Sequence, residues 1–390
     1  MPTWRNWSGR MQCKPASIHF ARSEADIAAV VREASRAGTS IRVAGAGHSH
    51  APLVVNDGII VDASGLSGVI SADAKTRRAW VWAGSRIFAL GRALHDAGLG
   101  LKNQGDIDRQ AIAGACGTGT HGTGRALSNL SSAVVGARVV TASGEIVECN
   151  ASTNPRLFQA VRLSLGAVGI VTRLELELRE AYRLKESSWS EPFEPLVAKL
   201  DRHIATTRHF EFFWNPVTDV AMAKAIDDTS EDAVYPLAPE GSRCAWSYEV
   251  LPNDRPHLHT EMEYSVPAER GPDCLREIRE LIRAKFPEMR WPVEYRTLAK
   301  DDVWISTAYE RPTVTISVHQ GITEPDEPYF RACEEVFDRY DGRPHWGKVQ
   351  YLSGKELAAR HPRWRDWWAA RDEVDPQQMF LNGYLRSVRP

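Results

Sequence analysis

Apolar and polar positions change their period several times along the chain, and each change marks an element. From Ser23, "SEADIAAVVREASRAG" opens on a capping serine with an acid three residues on, Asp26. It then places Ile27, Val30, Val31 and Ala34 on one face and stops at Gly38, which predicts an amphipathic helix. A short strand, "SIRVAG", follows, then a loop with small residues and two histidines, then the β-branched run "GIIVDAS". "SRIFALGRALHDAGL" sets Ile87, Leu90, Leu94 and Ala97 on one stripe, a second helix, and "AVVGARVVTASGEIVEC" reads as two strands joined at Ser143-Gly144. "LGAVGIVTRLELELRE" alternates apolar and polar residues from Val171 to Leu178.

The texture changes after about Arg179. Tryptophan, proline and charge become frequent, with strands expected in "HFEFFWNP", "CAWSYEVLP" and "TVTISVHQG" and a helix in "CLREIRELIRAKF". The expectation is α+β in two domains, residues 1–178 and 179–390, without internal repeat or low-complexity linker.

Composition narrows the partners. With 390 residues, 43% hydrophobic and 25% charged, the chain is long enough for two packed cores, and disordered and fibrous classes are set aside. A net charge of −2 gives no electrostatic reason to expect nucleic acid or an anionic membrane, so a small molecule is the default ligand. The first twenty residues lack the apolar centre of a secretory signal, and no stretch reaches the roughly 18 apolar residues of a span. A cytoplasmic protein is expected. Six scattered cysteines without CxxC spacing read as free thiols and indicate no zinc centre.

"GTGTHG", residues 117–122, matches G-x-G-x-x-G by letter. It follows no clear strand and opens no amphipathic helix, so it lacks the dipole that holds a dinucleotide pyrophosphate. Its glycines, with those of residues 45–49, instead let backbone approach a long, flat or anionic ligand from two sides.

Taken together, "VAGAGHS", "NQGDIDRQAIAGACGTGTHGTG", "LGAVGIVTRLELEL", "VEYRTLAKDDVWIS", "HWGK" and "DPQQMFLNGYL" occur in one order over nearly the whole chain. In this the sequence resembles the aldonolactone oxidase and alditol oxidase branch of the vanillyl-alcohol oxidase superfamily, the L-gulono-1,4-lactone oxidase-like proteins. The resemblance implies a two-domain FAD-binding fold with a substrate-binding cap, the tail at about 375–390 returning to the first domain. It implies that Arg42, Gly45, Ala46, Gly47, His48 and Ser49 surround FAD, with His48 bonded covalently to the flavin 8α-methyl. A second glycine loop, residues 111–124, would lie along the flavin with Ala111, Gly114, Gly117 and Thr118, and Ile170 would meet the adenine end.

For substrate, the resemblance points to Glu294, Arg296, His319 and Lys348. Glu294 and Arg296 stand two apart on a predicted strand and so share a face; without the resemblance they read as a surface ion pair. Arg296 or Lys348 would neutralise charge developing on the reduced ring, His319 or Lys348 would accept the hydroxyl proton, and Glu294 would accept bonds from sugar hydroxyls.

Gly105 matches the position at which oxygen-reactive relatives carry Gly, and Asp106 matches a serine that touches substrate, a departure that leaves the hydroxyl pattern open. The implied activity is oxidation of an aldono-1,4-lactone such as L-gulono-1,4-lactone, or of an alditol, with O2 reduced to H2O2. The alternatives are the same fold passing electrons to a quinone or cytochrome, and a binding protein without turnover should the four residues not converge. Cys116 is expected to fill a tight loop rather than form a second flavin link, and His50 to take no part. No metal is expected, since His48 and His50 have no third ligand in sight.

Overall fold

The computed structural model describes residues 1–390. Two sheets dominate the N-terminal part. Three parallel strands lie in the order Ser17–Phe20, Ile59–Asp62, Ile41–Ala44, and the helix Glu24–Ala37 makes the crossover that parallel pairing requires. That helix has the predicted ends: a reciprocal Ser23–Asp26 capping box and a left-handed Gly38 at φ 61°. Its stripe of Ile27, Val31 and Ala34 is buried against Ile41, Ile59 and Val61. The second sheet is antiparallel, ordered Ile146–Asn150, Val134–Val140, Ile170–Glu177, Arg78–Trp82, Val69–Asp73, and the predicted turn at Gly144 has φ +79°. The expected second helix runs Ile87–Asp96.

Two segments differ from expectation. Within the glycine loop, residues 112–118 form a short helix, Ile112–Thr118, capped by left-handed Gly119. Glycines make it intrinsically poor, but Ile112, Ala115 and Cys116 fall at helical spacing and are buried, so tertiary packing overrides propensity. "CAWSYEVLP" is strand only at Cys244–Trp246 and then turns into the helix Ser247–Val250.

The C-terminal part is built on an eight-stranded antiparallel sheet. Its order is Cys244–Trp246, Arg183–Pro192, Val220–Thr229, His209–Asn215, Val293–Leu298, Thr313–Gly321, His259–Pro267, Arg343–Pro344. Register makes this sheet two-faced. Phe212, Tyr295, Ile316 and Tyr264 stand in one cross-strand row, and the helices Gly271–Lys285 and Glu327–Arg339 bury Ile278, Ile282, Phe330 and Phe337 in the same core. One residue along, the opposite face carries Glu211 across from Arg296, Glu294 across from Ser317, and Glu261 across from His319. A face this charged is stable only if its groups pair among themselves and bind polar ligands.

The chain ends against the parallel sheet. The Ile41 N–H donates to the Met379 carbonyl at 2.8 Å, and the Asn382 amide donates to the carbonyls of Pro52 and Val55, each at 2.8 Å. Asp375, fully buried and paired with Arg371, accepts the N–H groups of Met379 and Phe380 and so fixes this return. Asp375→Ala should lower unfolding stability by about 3–5 kcal/mol, the cost of stranding a buried partner. A urea midpoint unchanged from the parent would remove this pin from the account. No helix is long and apolar enough to cross a membrane.

Candidate active site

Two cavities share one wall. The first is a cleft between the parallel sheet and the short glycine helix, lined by residues 45–49, Ala111, Gly114, Gly117, Thr118, Ser164 and Leu165. Gly45 closes against the opposite wall, since a Cβ there would come within 2.9 Å of the Ala111 Cβ, whereas one on Gly114 would meet nothing and project into open space. The backbone N–H groups of residues 45–49 donate to no protein acceptor, leaving five consecutive donors beside the cleft. Unspent donors on small residues suit a diphosphate and flat rings, so the walls fit FAD.

Two residues expected at the cofactor are tied into the walls of the cleft. Arg42 lines the cleft, and four of its five guanidinium N–H groups donate to the carbonyls of Leu53, Leu165, Gly166 and Phe380, which pins the walls. The Ile170 side chain is fully buried in the smaller core, and its neighbour Val171 lines the cleft. Cys116 lies outside the lining, its thiol directed to the Leu130 carbonyl and pushed up to about 12 by burial, as suits an inert filler.

The second cavity, of about 710 Å³, lies over the charged face of the large sheet. It holds Gly105, Asp106, Glu294, Arg296, His319 and Lys348 together, with His48 in both linings. The Glu294–Arg296 pair is therefore no surface bridge. Arg296 donates from Nε to Glu211 at 2.7 Å, and its Nη2 reaches both Glu294 at 2.7 Å and Asp106 at 3.1 Å. Burial pushes the Glu294 carboxyl well above its usual range against the pull of Arg296, and the nearby Glu211 and Asp106 charges add to the rise. For Asp106 burial acts upward too, but Lys224, Arg296 and Arg255 outweigh it and hold the carboxyl far below its usual range. With Arg255 at 2.8 Å and Lys224 at 3.7 Å, Asp106 orients cations more than it awaits a hydroxyl.

A second cluster surrounds Glu261, which pairs with Lys348 and stands 3.6 Å from His319 Nε2. His319 gives its Nδ1 proton to the Pro292 carbonyl at 2.9 Å, so the neutral ring turns a bare Nε2 toward the cavity. Burial lowers His319 to about 4 and His48 likewise to about 4, the latter helped by Lys348. His50, expected to take no part, is buried with Nε2 3.9 Å from Glu261.

Pattern reasoning missed Glu211, Lys224, Glu261, Glu263, His121, His259 and His345, all in or beside these cavities. One signal was present: single acids set among apolar residues in "HFEFFWNP" and "HTEMEYSVP", where period 2 sends Glu211, Glu261 and Glu263 to the same face. Glu263 accepts from Ser317 at 2.8 Å and pairs with His121 at 2.7 Å. His345 takes the Gly347 N–H on Nδ1 at 3.0 Å and borders both cavities.

Known proteins place this architecture. Residues 15–150 match an FAD binding domain, and residues 174–246 and 238–388 match D-arabinono-1,4-lactone oxidase. The chain is 35% identical to an L-gulono-1,4-lactone dehydrogenase of Mycobacterium tuberculosis over 99% of both chains. It is 29% identical to an alditol oxidase of Streptomyces over 98% of each. In fold it is similar to cholesterol oxidase from B. sterolicum, with TM-score 0.87 and 16% identity over 100% of this chain and 96% of that one. With a cleft walled by two glycine-rich segments, a charged cavity beside it and matches along its length, the chain belongs to the D-arabinono-1,4-lactone oxidase family of FAD-dependent oxidoreductases.

Proposed function

We propose that the protein oxidises a CH–OH carbon of a sugar lactone or polyol to the carbonyl, with FAD tethered through His48 and O2 as final acceptor, releasing H2O2. One observation carries this reading: the cleft and the cavity share His48, Gln110, Thr120, His345 and Lys348, so one polar wall serves both ligands. FAD, when bound, supplies the sink for the hydride. Cofactor binding is assigned to residues 1–178 with the tail at 375–390, and substrate binding to 179–390.

In this reading His319 is the base. Its Nε2 is unprotonated and faces the cavity, while Lys348 is engaged as a cation by Glu261. Glu261, 3.6 Å away, stabilises the imidazolium formed when His319 takes the hydroxyl proton. Lys348 and Arg296 place fixed positive charge in the cavity lining, and Lys348 also borders the cleft, where it would meet charge developing on the reduced ring. Glu294 lines the cavity and accepts a hydrogen bond from a sugar hydroxyl.

A panel of aldono-1,4-lactones, L-gulono-1,4-lactone first, and of alditols, scored by peroxide release, tests the reading; silence across the panel with the flavin unreduced overturns it. His48 is half-buried, its pKa is lowered to about 4 chiefly by desolvation, and it packs edge-on to Trp7 at 4.8 Å between centroids, which supports a tether. The acid-precipitated parent protein should therefore be yellow and His48→Ala should release its flavin into the supernatant. A colourless parent pellet contradicts the tether.

The likeness to a dehydrogenase of Mycobacterium tuberculosis favours a second reading, transfer to an acceptor other than O2. Gly105 argues for oxygen, because it lines the cavity without a side chain and a methyl there would press to 3.0 Å from the His121 carbonyl. Gly105→Ala should slow aerobic reoxidation about tenfold, roughly 1.4 kcal/mol on the barrier. Equal reoxidation rates, measured by mixing the reduced protein with air, favour the second reading.

A further inference from the structure

Several polar clusters in the cavity are already filled. His121 is closed on Glu263 at 2.7 Å and on the Gly122 carbonyl at 2.8 Å, so neither ring nitrogen is free. Glu211, Glu294 and Asp106 are occupied by Arg296 and Lys224.

The cluster of His50, His259 and Glu261 differs. His259 gives its Nδ1 proton to the His257 carbonyl at 2.9 Å, which leaves a lone pair on Nε2. That lone pair stands 3.7 Å from Glu261 Oε2, and His50 Nε2 stands 3.9 Å from the same oxygen. The His259 lone pair faces a carboxylate, an arrangement that a cation stabilises; Lys348 now supplies that charge to Glu261, and a metal ion can bond both groups directly. A backbone carbonyl that fixes the outer nitrogen of a histidine is the usual support of a metal ligand. Ligand atoms of a tetrahedral zinc site, with bonds of about 2.0–2.1 Å, lie about 3.3 Å apart, so closure needs shifts of roughly half an ångström. The Trp7 ring packs on both histidines, at 6.2 and 5.4 Å between centroids, and walls one side. The other side opens to the cavity, which gives an ion its entry path.

We propose that His50, His259 and Glu261 form a binding site for a divalent transition metal of the zinc class in the wall of the substrate cavity. Two imidazoles and one carboxylate with an open fourth position suit Zn2+ over Mg2+ or Ca2+, which prefer oxygen. Lys348 now holds Glu261, and the metal displaces it. Because Glu261 also faces His319, occupancy inhibits turnover.

The test is titration of the flavin-loaded protein with Zn2+ alone, followed calorimetrically, a readout independent of which sugar is oxidised. One ion per chain should bind, and His259→Ala and His50→Ala should each weaken binding by at least about 100-fold, the upper end of what even outer partners of metal ligands cost. Lys348→Met, which removes the competing cation and leaves all three ligands, should tighten it. Absence of one-to-one binding overturns the proposal, as does parental affinity in either histidine variant that retains its flavin spectrum. Should both histidine variants fail to fold, unchanged or weaker affinity in Lys348→Met overturns it.

Discussion

Replacing Arg296 by Met should lower kcat/KM by about 10²–10³-fold, the loss seen when one fixed donor to developing charge is removed. It should also destabilise the fold. Arg296 is buried and holds Glu211, Glu294 and Asp106 together, so removal leaves three acids facing Lys224 and Arg255. Breaking such a cluster from one side costs about 3–5 kcal/mol. Arg296→Lys separates the two effects, because it restores charge without the planar fork that spans three carboxylates. Stability should return in part and kcat/KM should remain low. Steady-state kinetics normalised to flavin content, with thermal unfolding of the same samples, read both. Parental kcat/KM in Arg296→Met would remove Arg296 from the chemistry.

His319→Gln should reduce kcat by about 10²–10⁴-fold with little change in KM, the range for a lost proton acceptor. The pH profile carries the same information. Burial holds His319 at about 4, so above that value the ring is neutral and active, and the acid limb of kcat/KM should fall near pH 4 rather than near 6.5. His48, His209 and His345 are held at about 4 by burial as well. A histidine with a depressed folded pKa favours the folded state above its unfolded value, about 6.5, and that contribution is lost as pH falls toward 4. Thermal stability should accordingly drop between pH 6.5 and 4. Should His319→Gln keep its kcat, Lys348 becomes the base.

Local pattern carried much of the fold. The Ser23–Asp26 box, Gly38 and the Gly144 turn are chemistry written within a few residues, and each forms as read. The glycine helix was not legible, because it exists by packing Ile112 and Cys116 into a core assembled from distant segments. For the site, the motif residues Glu294, Arg296, His319 and Lys348 converge on one cavity. Their partners were invisible for a physical reason: Glu211 meets Arg296, and Glu261 meets Lys348, only through sheet register and long-range docking, over separations of 85 and 87 residues. Arg42 carries a second role that was equally invisible, since the four backbone carbonyls it holds come from segments far apart in the chain.

The central claim is that one wall presents a sugar carbinol to a flavin. Anaerobic mixing of the flavin-loaded protein with L-gulono-1,4-lactone and the other lactones and alditols, followed by flavin absorbance, tests it most directly. Rapid bleaching with at least one of them, slowed by at least about 100-fold in both Arg296→Met and His319→Gln, is the predicted result. Flavin that stays oxidised with every compound, or bleaching at parental rates in both variants, contradicts the account.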